Sequence, residues 1–437
     1  MDTAPRFTVA ILSVSCMLLC PPRLTWAAEK GGGGQLDASF KFRGRIILTD
    51  VGRGTFEAAY AIAVQPDGKI VAVGFSTPAV GPSSDFALVR YESTGRVDRR
   101  FGDNGRVLTD FSGGSIDQAF GVAIDSIGRI VLAGSSGSDF AVARYNPDGT
   151  PDNTFNSTGK VLTNLGASDA AMAVAVDSND RIVVAGTSNA GGTYDFAVVR
   201  YNVDGRLDTT FNTTGRVLTD VGVGSGDFVT AAVIQSDGKI VVGGLSDASG
   251  IPYDFTLVRY NPNGTLDLTF NTTGKVLTDF TGSGNSDALQ ALAVQSDGKI
   301  VAAGESFTSG GSSLAVARYE MTGILDTTFN TTGKVLTAFA SGNASAQAVV
   351  IQSDGKIVTA GSFDDGNREG PDFALARYNV DGSLDSTFNS TGKVVTDIGG
   401  FDFAYGVGIQ PDGKIVAAGF SAVNGADSDF ALTRYFP

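Results

Sequence analysis

The strongest constraint on the fold is internal repetition. A unit reading Leu-Asp-x-Thr-Phe-Asn-x-Thr-Gly-Lys-Val-Leu-Thr recurs, with small changes, from Leu36, Val97, Pro151, Leu207, Leu266, Leu325 and Leu384. The spacings are 61, 54, 56, 59, 59 and 59 residues. Units of this size bury their apolar faces against their neighbours, in a ring or a stack. The fifth unit shows four strand-like runs, at 275–278, 291–295, 299–304 and 313–319. β-Branched residues, short lengths and Asp-Gly turns favour strands over helices. The Ile-Val-Val-Ala-Gly type of run is apolar on both faces, as suits a strand sandwiched between two sheets. Four short strands per unit, in seven units, predict an all-β fold, a seven-bladed β-propeller with four antiparallel strands per blade.

The chain ends sharpen this. With the innermost strand first in each blade, the Ala-Val-Gln run is innermost and the Val-Leu-Thr run outermost. The chain stops at Pro437, just after a third strand, and its first strand-like run, 45–49, is of the outermost kind. The N-terminal strand is therefore expected to complete the last blade, which leaves no free sheet edge at the seam. Loop lengths add a direction. From the end of the first strand to the glycine closing the second is nine residues in every unit, for example Gln65 to Gly74. From the start of the third strand to the outer-strand threonine is 24 in all six complete cases, for example Asp85 to Thr109. The second-to-third-strand loop instead runs from five residues (Gly134 to Asp139) to eleven (Gly361 to Asp372), and the segment into the next blade from 14 to 17. Alternating strand direction places both variable loops on one face. Insertions gathered on one face of a repeat protein mark its binding face.

The repeated Asp-Gly-Lys-Ile-Val, Phe-Ala-x-x-Arg-Tyr-Asn-x-Asp-Gly and Leu-Asp-x-Thr-Phe motifs resemble the delta-60 repeat, a family of exported bacterial β-propeller proteins of unknown function. The likeness covers about residues 36–437. Ile127-Gly128-Arg129 and Asn179-Asp180-Arg181 depart from Asp-Gly-Lys. The resemblance implies fold and export, and no catalytic residues.

Composition mostly excludes. The chain has no histidine, which removes Ser-His-Asp and Cys-His catalysis, histidine-bound zinc and haem, and the usual acid–base group near pH 7. Residues 1–27 read as a signal peptide: Arg6 precedes an apolar run over 7–19, and Thr25-Trp26-Ala27 offers small residues for cleavage. That run is too short to span a bilayer comfortably. Its removal would take Cys16, Cys20 and Trp26, so no disulfide framework is expected. Leu19 is not the small residue that a lipoprotein reading of Cys20 needs. A leader at 28–35 and the propeller at 36–437 follow. The expected location is secreted: periplasm, cell surface or extracellular. Loss of Arg6, Arg23 and Asp2 moves the formal charge from −14 to −15, which argues against nucleic acid as a partner. No membrane span is expected, and a monomer is.

Three basic positions repeat in every unit and hold 21 of the 32 Lys and Arg, so most positive charge is placed by the repeat itself. One set follows the first hairpin, from Lys69 to Lys414. A second follows the Thr-Gly turn, from Arg45 to Lys393. The third comprises Arg90, Arg144, Arg200, Arg259, Arg318, Arg377 and Arg434. All three are expected toward the constant face. With the Leu-Asp aspartates Asp98, Asp152, Asp208, Asp267, Asp326 and Asp385, the third set reads as an Arg–Asp ladder tying blade to blade, with a substrate-binding ring as the alternative.

The variable face has the opposite sign. Glu57, Asp117, Asp169, Asp227, Asp287 and Asp402 precede the innermost strands and are expected as an acidic binding ring at the channel mouth; Ala344 interrupts it. A second set, Asp85, Asp139, Asp195, Asp254, Asp372 and Asp429, opens the third strands, with Ser313 the exception. Local capping of loop N–H groups is the plain reading of these acids. A carboxylate ring attracting cations or a basic partner is the functional one. No cofactor is expected. Calcium is the one ion considered, and the Asn146-Pro-Asp148-Gly149 type of turn lacks the glutamate that a calcium loop places downstream. Asn-x-Thr sequences such as that at Asn212 read as turn chemistry. The chain is thus expected to be a binding or structural module engaging an extracellular protein or polysaccharide. The alternative is a histidine-independent hydrolase or lyase with paired carboxylates at the channel mouth. Tyr60, Tyr405, Phe401 and Phe403 are the aromatics available for stacking on a sugar.

Overall fold

The structure, a computed structural model, describes residues 32–40, 46–52, 56–78, 81, 83–166, 168–250, 252–282, 284–308, 310–366, 370–422 and 427–437. The expected signal peptide at 1–27 lies outside them, as does Arg45. Among the described residues every element is a β-strand, and the strands form seven four-stranded antiparallel sheets. Blade one comprises Phe56–Val64, Ile70–Thr77, Asp85–Tyr91 and Arg106–Thr109, from the inside outward. The inner strands of the following blades are Asp117–Ile124, Asp169–Val176, Asp227–Ile234, Asp287–Val294, Asn343–Ile351 and Phe401–Ile409.

The seam is as expected. Ile46–Thr49 pairs antiparallel with Asp429–Tyr435, Ile46 opposite Thr433 and Thr49 opposite Phe430, and so completes blade seven from outside. The preceding residues fasten it further: the Gly34 N–H donates to Phe436 O at 2.9 Å, and the Asp37 N–H to Arg434 O at 2.7 Å.

The core lies between blades rather than within one sheet. Second strands are buried along almost their whole length because each of their faces meets a different neighbour. Val71 and Val73 of blade one pack with Ile130, Leu132 and Ala143 of blade two. Ile70 and Ala72 pack with Val416, Ala418 and Leu432 of blade seven. This two-sided burial is why the run is apolar at every position.

A polar stitch repeats around the ring. The tyrosine ending each third strand shares a hydrogen bond with the outer-strand threonine of the preceding blade. The pairs are Tyr91–Thr49 at 2.9 Å, Tyr145–Thr109 at 2.5 Å, Tyr201–Thr163 at 2.6 Å, Tyr260–Thr219 at 2.8 Å, Tyr319–Thr278 at 2.8 Å, Tyr378–Thr337 at 2.7 Å and Tyr435–Thr396 at 2.9 Å. These phenols are buried, so each must find a partner. The stitch explains why Arg-Tyr and Val-Leu-Thr recur together.

Candidate functional site

The two faces are built differently, and the basic residues show it first. Each ladder arginine lies against the Leu-Asp aspartate of its own blade. Arg144 Nε donates to Asp152 Oδ2 at 2.8 Å, Arg259 Nε to Asp267 Oδ2 at 2.7 Å, and Arg434 Nε to Asp37 Oδ2 at 3.0 Å. Its guanidinium also covers the phenylalanine of Leu-Asp-x-Thr-Phe, from 4.2 Å for Arg90 over Phe101 to 4.7 Å for Arg318 over Phe329. The link between blades is a different bond: a terminal nitrogen donates to a turn carbonyl in the next blade. Examples are Arg90 to Pro147 O at 2.5 Å, Arg318 to Val380 O at 2.5 Å and, across the seam, Arg434 to Ser93 O at 2.6 Å.

The first basic set joins the same aspartates: Lys69 Nζ is 3.0 Å from Asp98 and Lys299 Nζ 2.8 Å from Asp326. The two departures from Asp-Gly-Lys are compensated. Arg129 and Arg181 are met by Asp125 at 2.5 Å and Asp177 at 2.7 Å, where other blades carry glutamine. Burial alone would push the Asp267 carboxyl up. The Thr269 hydroxyl and N–H, Lys239 and Arg259 outweigh burial and hold it at about 2.

One expectation fails. The set after the Thr-Gly turn does not point to the constant face. Lys160 donates to Asp110 O at 2.6 Å, Lys275 to Asp220 O at 2.6 Å, Lys334 to Asp279 O at 2.8 Å and Lys393 to Ala338 O at 2.8 Å. Those carbonyls follow the outer strand of the preceding blade. Strand twist accumulates from the inner to the outer strand, so one outer strand starts near the end of the previous one.

The strand register confirms that the unequal loops share a face: Asp117 is opposite Ser136, Ser136 opposite Asp139, and Phe140 opposite Thr163. Their acids are sorted by depth. Glu57, Asp117, Asp169, Asp227, Asp287 and Asp402 are each at most 2% exposed, so they do not form an open ring. They hold the incoming loop instead. The N–H groups of Val51 and Gly52 donate to Glu57 at 2.5 and 2.7 Å, that of Phe111 to Asp117 at 2.8 Å, and that of Leu165 to Asp169 at 2.6 Å. The N–H groups of Val221, Phe280 and Ile398 donate to Asp227, Asp287 and Asp402 at 2.6, 2.7 and 2.7 Å. A loop that dives from the rim to the channel leaves N–H groups without strand partners, and a buried carboxylate satisfies them.

The acids that do reach solvent follow the Val-Leu-Thr threonine: Asp50, Asp110, Asp279 and Asp397 are exposed, Asp220 partly so. None of these five was among the expected site residues, although Thr-Asp closes five of the seven outer strands. Four blade junctions bring three carboxylates together. They are Asp85, Asp110 and Asp117; Asp195, Asp220 and Asp227; Asp254, Asp279 and Asp287; and Asp372, Asp397 and Asp402, with one oxygen of each residue within 4.8 Å of the others. Burial first, then Asp110 and Asp117, push Asp85 up; burial, then Asp220 and Asp227, do the same to Asp195. At the junction of blades two and three Asn164 takes the place of one acid and its amide donates to Asp139 at 2.8 Å. The junction of blades five and six has Ser313, Ala338 and Ala344 instead. Glu305 stands in that fifth blade, with burial pushing its carboxyl up to about 7.

The central channel is shaped by one repeated irregularity. Each inner strand slips register by one residue at the same height, between Ala59 and Ala61 in blade one and between Ala404 and Gly406 in blade seven. The skipped residues are Tyr60, Phe120, Met172, Thr230, Gln290, Gln347 and Tyr405, and all line a cavity of about 380 Å³. A β-bulge re-aims one side chain, here into the channel. Tyr60 stacks on Phe75 at 5.6 Å and meets Tyr405 edge-on at 5.1 Å. Phe403 and Phe420 continue the aromatic strip from Tyr405. Tyr60, Phe403 and Tyr405 thus share one cluster, with Phe401 exposed beyond it.

The model of the family described as "Domain of unknown function (DUF5122) beta-propeller" matches residues 65–101, 128–155, 178–211, 235–270, 295–329, 352–388 and 410–437. No curated protein matches the chain. Among solved structures it is similar to a protein of unknown function from Dyadobacter fermentans, at 12% identity and a TM-score of 0.47 over 89% of this chain and 97% of that one. It is also similar to Sqt1 from Chaetomium thermophilum, at 13% identity and 0.49 over 89% and 98%. Virginiamycin B lyase from Staphylococcus aureus is similar at 9% identity and 0.44, over 89% and 99%. None of these likenesses bears on activity. Among the described residues, no helix is long and apolar enough to cross a membrane.

Proposed function

The chain belongs to the family described as "Domain of unknown function (DUF5122) beta-propeller", and from that premise we propose that it is a binding module that meets an extracellular partner with its variable face. The observation that carries this is the clustering of carboxylates on one face, where they outnumber the Lys and Arg of the second basic set that reach it. On the constant face the cations are consumed by the buried aspartates, as at Asp267. On the variable face Asp50, Asp110, Asp279 and Asp397 stand exposed between loops of unequal length. Carboxylates held together at the junctions reinforce one another's field, which favours a positively charged partner surface. Export, expected from residues 1–27, would deliver the protein to that partner.

The hydrolase or lyase alternative needs two carboxylates facing one cavity. The clustered acids sit at blade junctions and cap loops, and the channel lining contains no carboxylate among the described residues. The test compares wild type with an Asp110→Lys, Asp279→Lys, Asp397→Lys variant for retention on the native cell surface at rising salt. Wild type is expected to be retained at low salt and released at high salt, and the variant not retained. Equal, salt-independent retention of both would reject the acidic face as the contact.

A further inference from the structure

We propose that the channel is a second binding site, independent of the acidic face, that takes a neutral hexopyranose unit of a glycan. Its apolar face would lie against Tyr60, Phe120 and Tyr405, and its hydroxyl edge against Gln290 and Gln347. In a chain where most strand positions repeat, the seven bulge residues follow no repeat, yet all occupy the same height in the channel. Around the ring they fall into two arcs. Blades seven, one, two and three contribute Tyr405, Tyr60, Phe120 and Met172; blades four, five and six contribute Thr230, Gln290 and Gln347. One wall is aromatic and thioether, the other hydroxyl and amide. The residues next to the bulges are mostly small, including Ala61, Gly121, Ala173, Ala231, Ala291 and Ala348, which leaves the space open. The volume of about 380 Å³ falls within the range of small-molecule sites.

The aromatic arc is held in place. Tyr60 packs between Phe75 at 5.6 Å and Phe120 at 5.1 Å, and Tyr405 lies 6.1 Å from Phe420. Such backing keeps a binding wall rigid. On the far arc the Gln347 amide donates to Ser345 Oγ at 3.3 Å, and Thr230 donates to Leu289 O at 2.8 Å, which leaves its lone pairs free to accept.

The lining selects the ligand class. Among the described residues it contains no Asp, Glu, Lys or Arg. An ion entering the waist would lose hydration without gaining a counter-ion. A wholly apolar ligand would cover the two glutamine amides and leave them unpaired. A neutral molecule with one apolar face and one hydrogen-bonding edge satisfies both arcs, and a hexopyranose has both. The clustered acids on the variable face further disfavour uronates.

The experiment is titration calorimetry of the full chain with maltopentaose, cellopentaose and mannopentaose, and with an oligogalacturonate as the charged control. At least one neutral chain is expected to bind and the uronate not. Gln290→Ala combined with Gln347→Ala, and separately Phe120→Ala, should weaken binding at least about ten-fold. The triple charge-swap at Asp110, Asp279 and Asp397 should leave this affinity unchanged, which separates the channel from the face. Melting curves show whether each variant is folded, and the exposed-channel glutamine pair guards against misfolding of the aromatic variant. Absence of binding to all three neutral chains, tighter binding of the uronate, or unchanged affinity in the folded double-glutamine variant would overturn the proposal.

Discussion

At the scale of single residues, the Leu-Asp aspartate is where most of the polar stabilisation converges. Asp267 is 3% exposed and accepts from Arg259, itself 3% exposed, and from Lys239 and Thr269. Asp267→Asn should cost about 3–5 kcal/mol in urea unfolding, because the buried guanidinium is left unpaired. A loss under about 1 kcal/mol would mean that the ladder is ornamental. The carboxyl is held at about 2, below its unfolded value. Its contribution is therefore present above the unfolded pKa near 4 and disappears as pH falls toward 2. Glu305 has the opposite sign. Its folded pKa of about 7 exceeds the unfolded value, so the protein loses stability as pH rises from about 4 to 7. Glu305→Gln should flatten that slope and raise the melting temperature at pH 8. An unchanged slope in the variant would assign the pH dependence to other groups.

At the scale of the strand, the bulge and the glycine opposite it are one device. Gly74 faces the residue before the Tyr60 bulge, and a Cβ there would lie 1.8 Å from Ala58 O. Gly419 has the same relation to Phe403 O in blade seven, at 1.7 Å. Gly74→Ala should therefore cost more than about 3 kcal/mol, because backbone must move. Gly113, with a φ of 64° and open space around it, should lose only about 1–2 kcal/mol when changed to Ala. Comparable losses at both sites, read from thermal melts, would contradict the close-approach argument. The glycine ending Ile-Val-x-x-Gly was visible in every repeat. That it marks a bulge was not, because a register slip appears only once the partner strand is in place.

At the scale of the molecule, the ring closes through its first described residues. Ile46–Thr49 supplies the outer strand of blade seven, Asp37 pairs with Arg434 at 2.8 Å, and Thr49 accepts from Tyr91 of blade one. Deleting residues 28–50 removes all three at once and uncovers Leu432 and Phe430, which share a buried cluster with Phe40 and Ile47. Cooperative unfolding should then shift to much lower denaturant, or the chain should fail to fold. A truncated chain with the wild-type midpoint would refute the seam.

Blade number, strand order, the seam, the variable face and the residues of the ladder were all legible in the sequence. Each is a local pattern copied seven times, so turn chemistry and periodicity were enough to read it. Three things awaited the tertiary structure. Which acids are buried depended on how the inter-blade loop dives past Glu57 and its counterparts to satisfy its own N–H groups. Where Lys160 and its kin point depended on twist summed across a whole sheet. The two arcs of the channel depended on ring closure, since Tyr405 and Tyr60 lie 345 positions apart in the chain yet touch at 5.1 Å. Repetition determines what every blade shares, whereas a site that breaks the symmetry exists only once all seven are arranged around one axis.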